Sequence, residues 1–231
     1  MAELLTRGAV WGVLLTGGAY ALGILLQKKT GKAWCNPLLL GSLFVILFLR
    51  LCRISYSDYQ ASAGPVNYLL LPATVSLAVP LYEQWEALRK NTAAILSGIA
   101  AGVLASTGSI LLLAWIFQMD PAAAVSLLPK SVTTAIGADI SRELGGIPAL
   151  TTAAIILTGI FGNLSAQGIC RLFRISDPVA KGVGIGSAAH AIGTARALEI
   201  GPVEGAMSSL SIAAAGILTA LLCPFAARLL P

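Results

Sequence analysis

Long apolar runs alternate along the chain with segments in which Pro, Gly, Ser and Thr interrupt an otherwise apolar pattern. Five of the runs approach or exceed the length of about 17–25 residues that a helix needs to cross the hydrocarbon core of a membrane. The pattern therefore predicts that these runs form membrane-spanning helices. They cover residues 8–27, 36–52, 92–119, 148–173 and 205–230.

Three interrupted segments, 61–84, 121–142 and 179–200, are apolar on average but are not simple spanning helices. In lipid, a broken backbone is tolerated only where neighbouring helices or a water-lined cavity satisfy its freed N–H and C=O groups. We therefore expect these segments to lie in the protein interior as broken or re-entrant helices. The predicted fold is an all-α polytopic membrane protein, one transmembrane domain over residues 1–231 with about seven or eight membrane segments.

One interrupted segment is similar to another. Residues 70–79 match residues 127–136, 57 positions later, in identity or in type at most positions. This offset predicts an internal repeat with units at about 61–118 and 119–175, each an interrupted segment followed by a long apolar helix. Interrupted segments at corresponding places in two halves are typical of a transporter binding site. The alternative is chance similarity between two membrane segments of biased composition.

Composition supports the membrane assignment. Of the 231 residues, 57% are hydrophobic and 11% are charged, and the mean hydropathy is +0.85. A soluble domain carries about 25% charged residues. So little polar surface excludes a water-soluble body and makes the lipid bilayer a partner of the fold.

The net charge of +5 comes from Lys and Arg residues scattered between apolar runs, with no continuous basic stripe. This distribution argues against nucleic acid as a partner and favours cytoplasmic loops or contact with anionic lipid. The basic loop at Lys28, Lys29 and Lys32 is predicted to be cytoplasmic. The first apolar run is too long for a cleavable signal peptide, and no organelle leader precedes it. The expected location is a bacterial inner membrane, crossed several times.

Lys130 is a cation inside an interrupted segment. It follows Pro129 and precedes Ser131, Thr133 and Thr134. An ionisable group at membrane depth costs about 2.5–3.5 kcal/mol on insertion scales, so such a residue is a candidate for function. With the positive end of a half-helix beside it, Lys130 would attract an anion, and a small carboxylate would suit. The alternative is that Lys130 extends to the lipid headgroups from a loop.

The candidate substrate site extends beyond Lys130 and its neighbouring hydroxyls. Thr74 and Ser76 are the corresponding hydroxyl residues of the earlier repeat unit. Asn36 is a further candidate, although its place before Pro37 at the start of a span favours a helix-capping role. Helix breaks are predicted at three prolines, Pro72, Pro80 and Pro129.

His190 is the one histidine of the chain and follows three closely spaced glycines. Histidine titrates near neutral pH, so His190 could exchange a proton during carboxylate transport. The alternative is a histidine bonded to a backbone carbonyl between packed helices. Thr194, Arg196 and Asn163 are predicted as further interior polar residues, and Glu204 as an ion-pair partner of Arg196.

An enzyme is not expected. The chain has no GxSxG elbow, no HExxH motif and no carboxylate cluster, so neither a catalytic residue nor a metal or cofactor site is predicted. Its four cysteines lack CxxC spacing and are interpreted as packing residues.

Four ordered motifs, at residues 36–39, 71–82, 129–134 and 190–196, resemble those of the LrgB/CidB family. The resemblance covers nearly the whole chain. It implies a fold similar to that of cation/proton antiporters and bile-acid transporters, with broken helices at the centre.

The resemblance implies two functions. Some family members move glycolate and glycerate, pyruvate or related short acids. The resemblance therefore predicts a transporter of small monocarboxylates of the glycolate, glycerate, pyruvate or 3-hydroxypropionate type. Whether transport is coupled to protons through His190 is left open. The alternative is an antiholin-like regulator of murein hydrolase export and cell lysis, acting with a small LrgA/CidA-type membrane protein. A homo-oligomer is expected in either case.

Overall fold

The structure is a computed structural model that describes residues 10–30 and 37–231. Every regular element in this part of the chain is a helix. The chain divides into two compact units, Met1–Ser76 and Leu77–Pro231.

The first unit contains four described helices. Helix α1 packs against both α2 and α3, where Gly12 leaves room for the Ser62 hydroxyl. Thr16 and Tyr59 hydroxyls share a hydrogen bond of 2.8 Å across the α1–α3 contact. The bounds are α1 Trp11–Thr30, α2 Pro37–Cys52, α3 Tyr56–Tyr68 and α4 Leu70–Ser76.

The second unit holds the longest helices and most of the buried core. Its central cluster joins Ile95 and Ile99 of the first long helix to Val183 and Met207. The bounds are α5 Ala78–Glu83, α6 Trp85–Phe117, α7 Pro121–Leu127, α8 Thr134–Glu143, α9 Pro148–Leu172, α10 Pro178–Ile200 and α11 Pro202–Ala227.

Within the described residues, α6, α9 and α11 are long and apolar enough to cross a membrane. The predicted start of the first of these, residue 92, is late, because α6 begins at Trp85 and continues through Glu86, Arg89 and Lys90. Its 33 residues make it about 50 Å long, well beyond a hydrocarbon core of about 30 Å. Hydropathy marks where a helix meets lipid and not where the helix begins. The larger count of seven or eight segments stays a prediction.

Helices α7 and α8 form a hairpin, which we call the first hairpin. This hairpin contacts the start of α9, where the Ser126 hydroxyl accepts a hydrogen bond of 2.7 Å from the Ile147 N–H. At its tip, Gly137 lies against Ile155, two turns further along α9. Gly146, just after α8, lies against both Ser126 and Ser141, whereas Gly137 lies against the Pro129 carbonyl. Helices α7 and α8 therefore run antiparallel, and the chain turns back between residues 128 and 133.

Helix α10 is interrupted at His190, where φ is 43° and ψ is −143°. Before this break it runs alongside α11 in the same direction, since Gly182 contacts the Glu204 backbone and Gly186 contacts the Ser208 backbone. Side chains at these glycines would collide with the backbone of α11, so glycine permits the close approach.

After His190 the direction of α10 reverses. The Thr194 hydroxyl bonds that of Ser208 at 2.7 Å, and Leu198 covers Gly205, nearer the start of α11. The second half of α10 thus runs antiparallel to α11. We call α10 the second hairpin, with its tip at His190.

Candidate functional site

Lys130 lies at the tip of the first hairpin and forms a compact polar centre with two serines. Its Nζ donates to the Ser106 Oγ at 3.1 Å and to the Ser131 Oγ at 3.2 Å. The two hydroxyls are themselves 3.1 Å apart. Ser131 and the nearby Pro129 are buried, so the turn is held between helices.

No carboxylate of the described residues lies within 4.0 Å of the Lys130 ammonium. Its known partners are neutral hydroxyls, which leave the positive charge uncompensated. Thr133 and Thr134 lie at the start of α8, where the first-turn N–H groups have no partner within the helix. A cation and these amide groups at one turn favour an anion.

The hydroxyls predicted in the earlier repeat unit are only partly described. Asn36 lies outside the described residues, and so does the side chain of Thr74. The Ser76 hydroxyl is exposed and donates to the Ala73 carbonyl at 2.7 Å. Their roles in substrate binding stay predictions.

The three prolines do not all mark breaks in the same way. Pro129 lies in the turn between α7 and α8. Pro72 and Pro80 instead occupy the third positions of α4 and α5, and the interruptions precede them at Leu69 and Leu77. In the first turn of a helix a proline needs no N–H, so it starts the next helix and does not end the previous one.

His190 is 3% exposed and contacts the middle of α9. Its Nε2 lies 3.0 Å from the Ile155 carbonyl oxygen, which can only accept, so Nε2 carries the proton. Its own carbonyl accepts from the Thr194 hydroxyl at 3.0 Å. The packing role considered from the sequence is therefore present, and the role in proton coupling stays a prediction.

The imidazole of His190 fits because Gly159 has no side chain. A β-carbon at Gly159 would lie 2.7 Å from the His190 Cε1. Gly159→Ala should therefore destabilise the fold by about 1–3 kcal/mol, as overpacking does. The melting temperature in detergent measures this loss of stability. Gly168→Ala on the same helix is the control, because no atom lies within 4 Å of where a β-carbon at Gly168 would be. Equal melting temperatures would contradict the packing.

The backbone of His190 gives a second prediction. Its positive φ with ψ near −143° is a backbone conformation that costs a residue other than glycine about 1–3 kcal/mol. Both His190→Ala and His190→Gly lose the bond to the Ile155 carbonyl, but glycine accepts the backbone conformation without strain. The glycine variant should melt at a higher temperature than the alanine variant. The reverse order would show that this conformation is not maintained.

Asn163 and Gln167 both hold the second half of α10, as their spacing on one face of α9 allows. Asn163 Nδ2 donates to the Ile192 carbonyl at 2.8 Å. The Arg196 guanidinium donates to the Gln167 Oε1 at 2.8 Å. These bonds fix the returning half of the hairpin against α9.

The predicted pair between Arg196 and Glu204 is wrong. Arg196 instead pairs with Glu199 at 2.5 Å, and a Glu204 oxygen lies 4.0 Å from the Lys181 Nζ. The reversal at His190 is the reason, since it directs Arg196 toward α9.

The tips of the two hairpins lie on one helix face. Ser131 bonds Ser106 of α6, and Ser187 approaches α6 at Gly102, where an added β-carbon would be 2.9 Å from its Oγ. Gly102 and Ser106 are one helical turn apart, or about 6 Å along the axis. Sequence reasoning missed both residues, although a small-xxx-small pair in an apolar helix indicates close helix packing.

Comparison with known proteins identifies the family of the chain. Residues 16–229 match the model of the LrgB-like family. The chain is 34% identical over 220 residues to proteins named antiholin-like protein LrgB from Bacillus mycoides (strain KBAB4) and Bacillus cereus (strain B4264), covering 95% of this chain and 96% of each relative. No solved structure matches the chain significantly. The resemblance predicted from four motifs is confirmed: this chain is a membrane protein that belongs to the LrgB-like family.

Proposed function

We propose that this protein is an antiholin-like protein of the bacterial inner membrane that restrains murein hydrolase export and cell lysis. The names of its relatives support this function over transport, since they are called antiholin-like and align over 96% of their own length. In this role it acts with a small LrgA/CidA-type membrane protein.

The test is a deletion of the gene in its own host, complemented by the wild-type gene. Deletion should increase murein hydrolase activity in the medium and speed autolysis, and complementation should reverse both. Codeletion of the small partner should add little if the two act together. Unchanged hydrolase activity and lysis after deletion would contradict the function.

A second function, transport of small monocarboxylates, is supported by one structural observation. Lys130 places an uncompensated ammonium at the tip of a hairpin, with the hydroxyls of Ser106 and Ser131 as its partners. Such a group is costly in a membrane, and a bound carboxylate would neutralise it. A holin-type pore has no need of a dedicated anion site, whereas a carrier holds its substrate between gates.

Uptake into liposomes tests the second function. The purified protein should accumulate labelled glycolate, glycerate or pyruvate, with and without the small partner protein. An imposed pH gradient shows whether protons are coupled to uptake. If the protein takes up none of these acids with or without the small partner, while its deletion still changes lysis in cells, the transport function is excluded and the antiholin-like function stands.

A further inference from the structure

The two hairpins share sequence as well as shape. Residues 131–145 and 187–201, offset by 56, include six identical positions. This similarity differs from the one that predicted units at 61–118 and 119–175. The identical pairs are Ser131 and Ser187, Ala135 and Ala191, Ile136 and Ile192, Gly137 and Gly193, Glu143 and Glu199, and Gly145 and Gly201.

Both hairpins also begin in the same way. Asp120 caps α7 by accepting from the Ala123 N–H at 3.2 Å, and Asp177 caps α10 by accepting from the Ala180 N–H at 2.8 Å. A proline follows each aspartate at the first helical position. These caps are 57 residues apart, whereas the identical positions after them are offset by 56. The second hairpin therefore has one residue fewer between its cap and its tip.

The chain reverses at equivalent positions. Thr134 is the first residue of α8, and His190, 56 residues later, is the break in α10. Each hairpin is followed by a long apolar helix, α9 or α11, that is able to cross the membrane. The shared unit is therefore a capped helical hairpin followed by a spanning helix.

The two copies of this hairpin and helix point in opposite directions. The first hairpin opens beside the start of α9, because α8 ends at Glu143 and α9 begins at Pro148. The second hairpin opens at the other end of α9, because Ile200 and Lys181 line one cavity of about 590 Å³ with Arg171. Both tips reach the same part of α9, where Gly137 and His190 contact Ile155.

We propose that α7–α9 and α10–α11 are inverted copies of one unit, and that a small carboxylate binds where their tips meet. Lys130 and Ser131 bind it from the first tip and Ser187 from the second, with α6 as the shared wall. The site rests on the second proposed function, whereas the inverted topology does not. Opposed hairpins give each side of the membrane its own gate.

The orientation follows from charge. The open end of the second hairpin carries Arg171, Arg174 and Lys181 around its cavity, so it faces the cytoplasm by the positive-inside rule. The open end of the first hairpin then faces the opposite side of the membrane.

Labelling of single cysteines tests the topology without any substrate. In a background with the native cysteines replaced, Met119→Cys and Glu143→Cys flank the first hairpin, and Ser176→Cys and Glu199→Cys are the equivalent positions of the second. A membrane-impermeant maleimide applied to intact spheroplasts should label the first pair and spare the second. Inverted membrane vesicles should give the opposite pattern. Labelling of positions 176 and 199 from different sides, or of all four from one side, would overturn the inverted hairpins.

Calorimetric binding of glycolate and pyruvate tests the site. Ser131→Ala and Ser187→Ala should each weaken binding roughly two- to tenfold, the effect of one lost hydrogen bond. Ser165→Ala serves as the control, because the Ser165 hydroxyl donates to the Phe161 carbonyl within α9 as the Ser187 hydroxyl donates to the Val183 carbonyl within α10. Ser165 lies ten residues beyond Ile155 on α9, away from both tips. Unchanged affinity in Ser187→Ala alone would remove the second tip from the site. Absence of binding by the wild type would overturn the site and the transport function, and leave the topology to the labelling.

Discussion

Replacing Lys130 with alanine is expected to weaken binding of a small carboxylate ten- to a hundredfold while the protein stays folded in detergent. A charge-assisted hydrogen bond contributes about 1.5–3 kcal/mol, and about 1.4 kcal/mol corresponds to a tenfold change in affinity. The loss is that large because no other cation of the described residues contacts Ser106 or Ser131. Calorimetry with glycolate or pyruvate on purified protein measures it.

Two further variants make the Lys130 test specific. Lys130→Arg should restore only part of the affinity, because a planar guanidinium does not replace a compact ammonium between two hydroxyls. Lys90→Ala removes an exposed lysine at the polar end of α6 and should leave binding unchanged. Wild-type affinity in the Lys130→Ala variant would exclude Lys130 from the site.

Gly102→Val is expected to lower carboxylate uptake at least tenfold, because it separates the second tip from α6. A β-carbon at Gly102 would lie 2.9 Å from the Ser187 Oγ and 3.2 Å from its Cβ. The two further carbons of valine leave no position for Ser187, so the tip must move. A displacement of about 1 Å at a site that positions substrate can reduce a rate about a hundredfold.

Gly108→Val is the matched control for Gly102→Val. Gly108 belongs to the same helix, and no atom lies within 4 Å of the position where its β-carbon would be. The two variants add the same side chain to α6, but only the valine at position 102 would collide with Ser187. Equal uptake by both would show that the second tip does not need its contact with Gly102.

Hydropathy predicted the location of the long helices well. The helix predicted from Pro148 begins at that residue and ends at Leu172, one residue before the predicted end. Proline at the first helical position fixes this start locally. The start of α6 was missed because Glu86, Arg89 and Lys90 continue the helix beyond the apolar run, and helix propensity there does not depend on hydropathy.

The hairpins could not be read from the apolar pattern. A helix that crosses the membrane and a helix that turns back have similar composition, and the direction of α10 depends on its contacts with α11. Glycine spacing in 182–186 did indicate close packing, which Gly182 and Gly186 make with the α11 backbone. The partner of Arg196 was wrong for the same reason, since the reversal at His190 was not visible in the sequence.

The polar centre was predicted in part. Lys130 and Ser131 stood out because charge and hydroxyls are rare in an apolar segment. Ser106 did not, because one serine in a long helix is ordinary, and its role arises from the turn at Lys130, 24 residues later. The spacing of Gly102 and Ser106 indicates close packing of α6, but it does not indicate which distant residue the Ser106 hydroxyl bonds.

The uncompensated charge of Lys130 has a consequence for membrane voltage. A charge that crosses the whole membrane changes in energy by about 2.3 kcal/mol for every 100 mV. In the transport function proposed above, a bound monocarboxylate cancels the ammonium charge, so the loaded centre is neutral and the empty centre carries one positive charge. A membrane potential that is negative inside therefore draws the empty centre toward the cytoplasm and leaves the loaded one almost unaffected. On the proposal that the protein is a carrier, the side to which the empty site opens therefore depends on the membrane potential as well as on the concentration of the substrate.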